Sequence, residues 1–310
     1  MAQAASKGAP GGRRIRPPRF ALAVPAWAWF VFFFAIPVLW IVYYSFGYKP
    51  SPFQVIATDR LSFDNYADAL DPTFFRVFTG TLRISLLGTA LCLLISFPFA
   101  YWLATRVSSR WKGLLLGLCI VPFWTNFLVR TIGWFILLTA EGPLYDALHG
   151  LGIRDSPIDF LDTRGAVQLG VVYNYLPLMI FPLFVALERL DPALREASKD
   201  LGASRFTTFR QVTVPLASPG IVAGVLLVFI PLTGDYITAL VLGGAKGNMV
   251  GNLVASQFTT GQNWALGSAM AVMLILMILI VVAVGALLTL VARAALRSRR
   301  RLEIPSVNAT

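Results

Sequence analysis

The amino-acid sequence predicts an all-α, polytopic membrane protein with six transmembrane helices in a single domain. Of its 310 residues, 57% are hydrophobic and only 13% are charged, whereas soluble domains have about 25% charged residues. Six apolar stretches are also long enough to cross a hydrocarbon core about 30 Å thick, at about 1.5 Å per helical residue. They cover residues 20–46, 79–105, 113–138, 166–188, 220–242 and 266–292.

Two basic tails flank this membrane domain. Residues 1–19 are rich in Gly, Pro and Ala and contain five Lys or Arg residues, so they are expected to form a disordered basic tail. Residues 20–293 are expected to form the transmembrane domain, and residues 294–310 a second basic tail.

The Lys and Arg residues are concentrated on one side of the predicted membrane domain. Eighteen lie in the two termini and in the connections at 106–112 and 189–219, and six lie in the connections on the other side. Since positively charged connections remain in the cytoplasm, both termini are expected to be cytoplasmic. The net charge of +11 thus follows the membrane topology and does not indicate a nucleic-acid partner.

The sequence lacks the motifs of common catalytic sites. It contains no G-x-x-x-x-G-K-[ST] phosphate-binding loop and no H-E-x-x-H zinc motif. The single histidine, His149, lies in a predicted loop, and Cys92 and Cys119 lie inside apolar spans, so neither a metal site nor a disulfide is predicted. We therefore expect that this chain is not an enzyme and that it binds no cofactor.

A polar, basic loop at 190–219 separates the fourth and fifth spans. Asp191 and Pro192 are typical of a helix start, because Asp caps the first turn and Pro suits its first position. Gly202 ends this helix, where a positive φ angle is commonly needed. Such a loop either docks on another protein or lies on the lipid headgroups.

A second short helix is predicted to follow in the same loop. Ser204 caps it, Phe206, Phe209 and Val212 recur at a spacing of three, and Pro215 ends it.

The spacing of Glu196, Ala197, Gly202 and the segment 212–215 resembles the EAA loop of ABC importer permeases. That pattern is E-A-A, three residues, G, nine residues, a branched apolar residue, any residue, another apolar residue and P, and this chain matches the spacing throughout. Ser198 stands where the second alanine is usual. In this family the loop is the coupling helix that sits in a cleft of the cytoplasmic ATPase.

The resemblance implies a type I ABC importer permease in the bacterial inner membrane. The residues of the loop at 190–219, here called the coupling loop, that would contact the ATPase are Glu196, Ala197, Ser198, Leu201, Gly202, Phe206, Val212 and Pro215. The implied partners are a dimeric ABC ATPase that holds ATP and Mg²⁺, a second permease subunit, a periplasmic substrate-binding protein and the lipid bilayer.

Two charged residues, Asp235 and Arg130, lie deep inside predicted spans. Both are expected roughly 22–26 Å from the cytoplasmic end of their span, counted at about 1.5 Å per residue. Charges inside a membrane usually pair with each other or face a wet cavity. Either the two residues form an ion pair, or Asp235 faces the pathway and attracts a cation, with Tyr236 and Trp124 beside it for cation–π contacts.

Several of these segments resemble the spermidine/putrescine-type branch of the permeases. The resemblance is carried by PFWTNFLVRT at 122–131, YLPLMIFPLFVALERLD at 175–191, the stretch at 234–258 and NWALGSA at 263–269. It implies a polyamine cargo and adds Asn126 and Tyr175 to the pathway. Ala239 stands where the family often has proline, so another organic ion such as an opine is the alternative cargo.

A secondary transporter is the second class of function considered. Such proteins show inverted repeats and carry their own coupling-ion acids, whereas this sequence has one clear intramembrane acid and no evident repeat. The pattern therefore favours a permease that is driven by another subunit.

The predicted topology is testable by cysteine labelling in intact cells. A membrane-impermeant thiol reagent should label Ser62→Cys from outside and should not label Ser204→Cys, because the two positions lie on opposite sides of the membrane. The unaltered chain, with its cysteines inside spans, provides the background. Labelling of Ser204→Cys from outside would contradict the orientation.

Overall fold

A computed structural model describes residues 23–153, 155–157 and 159–301, and these ranges are almost entirely helical. Two isolated β-bridges, Tyr48 with Ala57 and Ser51 with Gln54, are the only extended pairings in that part of the chain. The all-α prediction is confirmed. The predicted tail at 1–19 lies outside the described residues, as do residues 302–310.

Twelve helices follow one another in the described ranges. They are α1 Val24–Tyr44, α2 Asp64–Ala69, α3 Pro72–Arg106, α4 Ser109–Trp124, α5 Phe127–Leu138, α6 Pro143–Gly150, α7 Arg164–Glu188, α8 Pro192–Asp200, α9 Arg205–Thr233, α10 Ile237–Leu242, α11 Val250–Thr259 and α12 Trp264–Arg301.

Six helical segments of the described chain are long and apolar enough to span a membrane. Four of them overlap the predicted spans closely, namely α1, α3, α7 and α12, whereas the fifth runs through Arg205–Thr233 instead of the predicted 220–242. The third runs through Phe127–Gly150 instead of the predicted 113–138. Helix α12 continues to Arg301, so the predicted boundary of the C-terminal tail at 294 falls inside a helix.

The predicted third span is interrupted by two residues of extended backbone. Thr125 and Asn126 have ψ angles of 151° and 135°, so α4 ends at Trp124 and α5 begins at Phe127. The side chain of Asn126 accepts a hydrogen bond from the Leu128 amide at 2.8 Å, which satisfies one free donor of the new helix. The prediction of one continuous helix is therefore wrong here.

Wide helical turns precede prolines in two helices. In α1 a π-helical turn at Val31–Ala35 ends two residues before Pro37, and in α9 one at Phe209–Thr213 ends two residues before Pro215. In a regular helix the proline ring clashes with the carbonyl four residues earlier, and the extra residue of a π turn makes room for the ring. The prediction that Pro215 ends the second loop helix is wrong, since α9 continues through it.

Helices α3, α7 and α9 form the core of the molecule. Their contacting faces bury apolar side chains, including Cys92, Ala100, Val171, Met179, Leu183, Ala217, Val228 and Leu232. At one end of the core, Lys112 Nζ donates hydrogen bonds to the Ala104 carbonyl oxygen and to the Glu188 carboxylate, each at 2.8 Å. This contact places the C-terminal ends of α3 and α7 together, so the two helices run parallel.

Close packing of α7 against α9 depends on a residue without a side chain. A Cβ atom on Gly220 would overlap the Cβ of Ala186 and would lie 2.6 Å from the carbonyl oxygen of Pro182. Gly220→Ala should therefore push the two helices apart and lower the free energy of unfolding by about 1–3 kcal/mol, the usual cost of overpacking. A lower thermal midpoint of the purified protein would measure this loss.

Gly117→Ala provides the matched control for this packing prediction. Nothing lies within 4 Å of the position that its Cβ would take on α4, so the midpoint should fall little or rise slightly through improved helix propensity. Equal losses from the two substitutions would contradict the packing argument.

Candidate coupling loop and intramembrane site

The first helix of the coupling loop forms where the sequence predicts it. Helix α8 begins at Pro192, and Asp191 Oδ1 accepts a hydrogen bond from the Ala193 amide at 2.9 Å. After α8 the chain reverses at Gly202, whose φ angle is +81°. The Gly202 amide donates to the Lys199 carbonyl at 2.8 Å and the Ala203 amide donates to the Ser198 carbonyl at 3.1 Å, which closes the helix end.

The second loop helix is the beginning of α9. Ser204 Oγ accepts a hydrogen bond from the Thr207 amide at 3.1 Å, as expected for a cap. The hydroxyl oxygens of Ser198 and Thr208 lie 3.1 Å apart and join the two loop helices. Phe209 packs edge-on against the rings of Phe97 and Tyr101 on α3, so the base of the loop is fixed to the core.

The loop presents apolar side chains to its surroundings. Leu201 is 89% exposed and Phe206 is 71% exposed, on either side of the Gly202 turn. Glu196, Ala197 and Pro215 are also exposed, whereas Ser198 and Val212 are half-buried. Exposed apolar residues set in a polar, capped turn are typical of a surface that docks on another protein.

The fifth predicted span, 220–242, is interrupted at Asp235. Helix α9 ends at Thr233 and α10 begins at Ile237. The Asp235 carboxylate accepts hydrogen bonds from the amide of Thr238 at 3.0 Å and from its hydroxyl at 2.6 Å. Asp235 is only 5% exposed, so this carboxylate caps α10 from inside the protein.

A buried chain of polar side chains extends from Asp235 to a neighbouring helix. The Asn174 side-chain amide donates to the Thr131 hydroxyl at 3.1 Å and lies 3.5 Å from the Thr238 hydroxyl, which itself bonds Asp235. Sequence reasoning missed Thr131, Asn174 and Thr238. The available signal was that polar side chains occur inside apolar spans, where they must find partners.

Arg130 and Asp235 do not form the ion pair that was one of the two sequence-based alternatives. Within the described ranges the one ion pair joins Lys112 to Glu188. The Arg130 guanidinium instead lies 5.4 Å from the ring centroid of Phe123 and 5.6 Å from that of Phe127. The side chains of neighbouring helical residues point about 100° apart. The Arg130 side chain therefore points in a different direction from that of Thr131, which faces the buried polar chain.

The remaining pathway candidates divide into exposed and buried residues. Trp124 is 85% exposed, Tyr236 is 45% exposed and Asn126 is also exposed, so all three border the two helix breaks from outside. Tyr175 is buried, and its hydroxyl donates to the Pro231 carbonyl at 3.4 Å. Asp235 and Tyr175 therefore lie beneath the surface of the single chain.

The C-terminal two thirds of the chain match a known protein family. Residues 96–301 match the family described as binding-protein-dependent transport system inner membrane component. The chain belongs to this family. The matched region includes the coupling loop and both helix breaks, and the chain is accordingly a multi-pass inner membrane component of a transport system.

Curated relatives in the same family are similar over most of their length. The chain is 42% identical to the spermidine/putrescine transport system permease protein PotB of Salmonella typhimurium (strain SL1344), over 79% of this chain and 85% of that protein. It is 41% identical to the PotB protein of Escherichia coli (strain K12), over 79% of this chain and 88% of that protein.

Among solved structures, a bacterial ABC transporter that imports the acidic polysaccharide alginate has a similar fold. The TM-score is 0.70 at 15% identity, and the alignment covers 87% of this chain and 93% of that chain. At this identity the similarity concerns the fold alone, and it confirms the predicted ABC importer permease architecture.

The cap made by Asp235 yields a prediction on folding. Asp235→Asn keeps an oxygen acceptor for the Thr238 amide, so the amount of folded protein and its thermal midpoint should change little. Asp235→Leu removes the acceptor and leaves the amide unsatisfied in a buried site, which should cost about 1–3 kcal/mol. Thermal unfolding of both variants measures the difference, and equal stability of the two would contradict the capping role.

Proposed function

We propose that this permease moves a small organic cation, a polyamine such as spermidine or putrescine, into the cytoplasm. The observation that carries the proposal is the 42% identity to a spermidine/putrescine permease over 85% of its length. The aromatic residues exposed at the helix breaks support a cationic cargo, because ring faces attract cations.

The proposed assembly contains a second permease subunit, two ABC ATPase subunits and a periplasmic binding protein. ATP and Mg²⁺ are held by the ATPase subunits, and this chain contributes the docking surface around Leu201, Gly202 and Phe206. With the coupling loop on the ATPase, both termini lie in the cytoplasm, in agreement with the distribution of Lys and Arg. Closure of the ATPase then shifts the loop, and α9 moves with it.

The proposed cargo site lies at the two helix breaks. The exposed rings of Trp124 and Tyr236 contact the cation directly, and Asn126, also exposed, offers a polar group at the first break. Asp235 and Tyr175 lie beneath these residues, and the carboxylate of Asp235 supplies negative charge without contacting solvent. Since charges interact strongly where water is excluded, Asp235→Asn should reduce uptake of the cation although the fold is kept.

Uptake by the complete transporter tests this function. The four components are reconstituted in proteoliposomes, and import of radiolabelled spermidine is measured with ATP supplied to the ATPase side. We expect uptake that depends on both ATP and the binding protein, and that unlabelled putrescine inhibits. Uptake of an opine in place of spermidine would retain the permease function and overturn the polyamine assignment.

A pair of glycine variants tests the role of the coupling loop. Gly202→Asp places a charged side chain at the turn between Leu201 and Phe206, so it should abolish uptake and weaken ATPase binding while the subunit remains inserted. Gly152→Asp is the matched control, because Gly152 also has a positive φ angle, of +67°, and also has open space around its Cβ position. It lies in a different loop and should leave uptake intact.

A further inference from the structure

A cavity of about 640 Å³ opens at the end of the core opposite the coupling loop. It is lined by the first turns of α3 and α7 and by the connection between α10 and α11. Lys112 joins the other ends of α3 and α7, next to the coupling loop. The cavity therefore faces the side of the membrane from which the cargo arrives.

Three cationic side chains line this cavity. Arg76 comes from α3, Arg164 from α7 and Lys246 from the connection after α10, and all three are exposed. The Arg164 side chain is held close to the connection, because its Nε donates to the Lys246 carbonyl oxygen at 3.4 Å. Half of the six Lys and Arg residues predicted on this side thus converge on one cavity.

None of these three cations has a carboxylate within ion-pair distance in the described part of the chain. The single ion pair in that part lies at the other end of the core. Asp162 lies two residues before Arg164, and its carboxylate packs against Gly244 in the connection that lines the cavity, without forming an ion pair with Arg164 or Lys246. The N-terminus of α7, at Arg164, adds partial positive charge to the same cavity.

We propose that this cavity receives acidic side chains of the periplasmic binding protein when that protein docks to deliver its cargo. The inference rests on the proposed function, since it assumes that a binding protein delivers the substrate. Guanidinium and ammonium groups bind carboxylates by charge-assisted hydrogen bonds, and three of them around one cavity match an acidic patch. In this arrangement the cavity binds the binding protein, and the cationic cargo binds separately at the helix breaks, near Asp235, Trp124 and Tyr236.

The position of the cavity favours a protein over a lipid headgroup as its occupant. The cavity lies above the contact of α3 with α7, two helices of the buried core, and Gly80 at its base is itself buried. An acidic protein surface that enters this cavity meets all three cations together, because Arg76, Arg164 and Lys246 line it jointly. Such peripheral charges mainly accelerate association and make it dependent on salt.

The test measures binding of the purified, cargo-loaded binding protein to the complete transporter in nanodiscs. In the triple variant Arg76→Gln, Arg164→Gln and Lys246→Gln, the association rate should fall on the order of tenfold at low salt and should lose most of its salt dependence. The binding-protein concentration that gives half-maximal uptake should rise by a similar factor, while uptake at saturating binding protein is retained.

Arg60→Gln is the matched control, since Arg60 is an exposed cation predicted on the same side but outside the cavity. It should leave the association rate within about twofold of the unaltered transporter. Unchanged association in the triple variant would overturn the inference, as would a defect that appears only when anionic lipid is present in the nanodiscs. Failure of the unaltered transporter to respond to any binding protein would instead overturn the proposed function.

Discussion

Inside a membrane, each backbone N–H and C=O group must find its hydrogen-bond partner within the protein, and this requirement governs the whole structure. It explains why the spans are helices and why each interruption is repaired locally. At the first break Asn126 caps α5 through the Leu128 amide, and at the second Asp235 caps α10 through the Thr238 amide. Both breaks thus carry a side chain that replaces a missing backbone partner.

The same requirement decides how much of the fold the sequence could reveal. Four spans, the Asp191 and Ser204 caps and the Gly202 turn follow from hydropathy, cap residues and turn chemistry, and the structure bears them out. The breaks at 125–126 and 234–236 were not predicted, because hydropathy averages over a whole span. A single Asn or Asp that bonds its own backbone leaves almost no signal in such an average.

The candidate site was less predictable than the fold, because it depends on the direction in which each side chain points from its helix. Counting residues from the cytoplasmic ends suggested that Arg130 and Asp235 could pair, but depth alone says nothing about which way a side chain points. In the structure, the Arg130 guanidinium lies over two phenyl rings, and the Asp235 carboxylate accepts a hydrogen bond from the Thr238 hydroxyl. Pro215 likewise looked like a helix end, since sequence rules do not foresee the π turn that accommodates it.

The continuity of α9 has a mechanical consequence. From Arg205 to Thr233 one helix joins the exposed loop to the break at Asp235, a length of about 42 Å at about 1.5 Å per residue. A lever of this length converts a tilt of about 5° about its middle into a displacement of about 2 Å at each end, comparable to the helix shifts by which subunit interfaces switch. The π turn before Pro215 therefore has a role in this movement, because it keeps α9 continuous from the loop to the break.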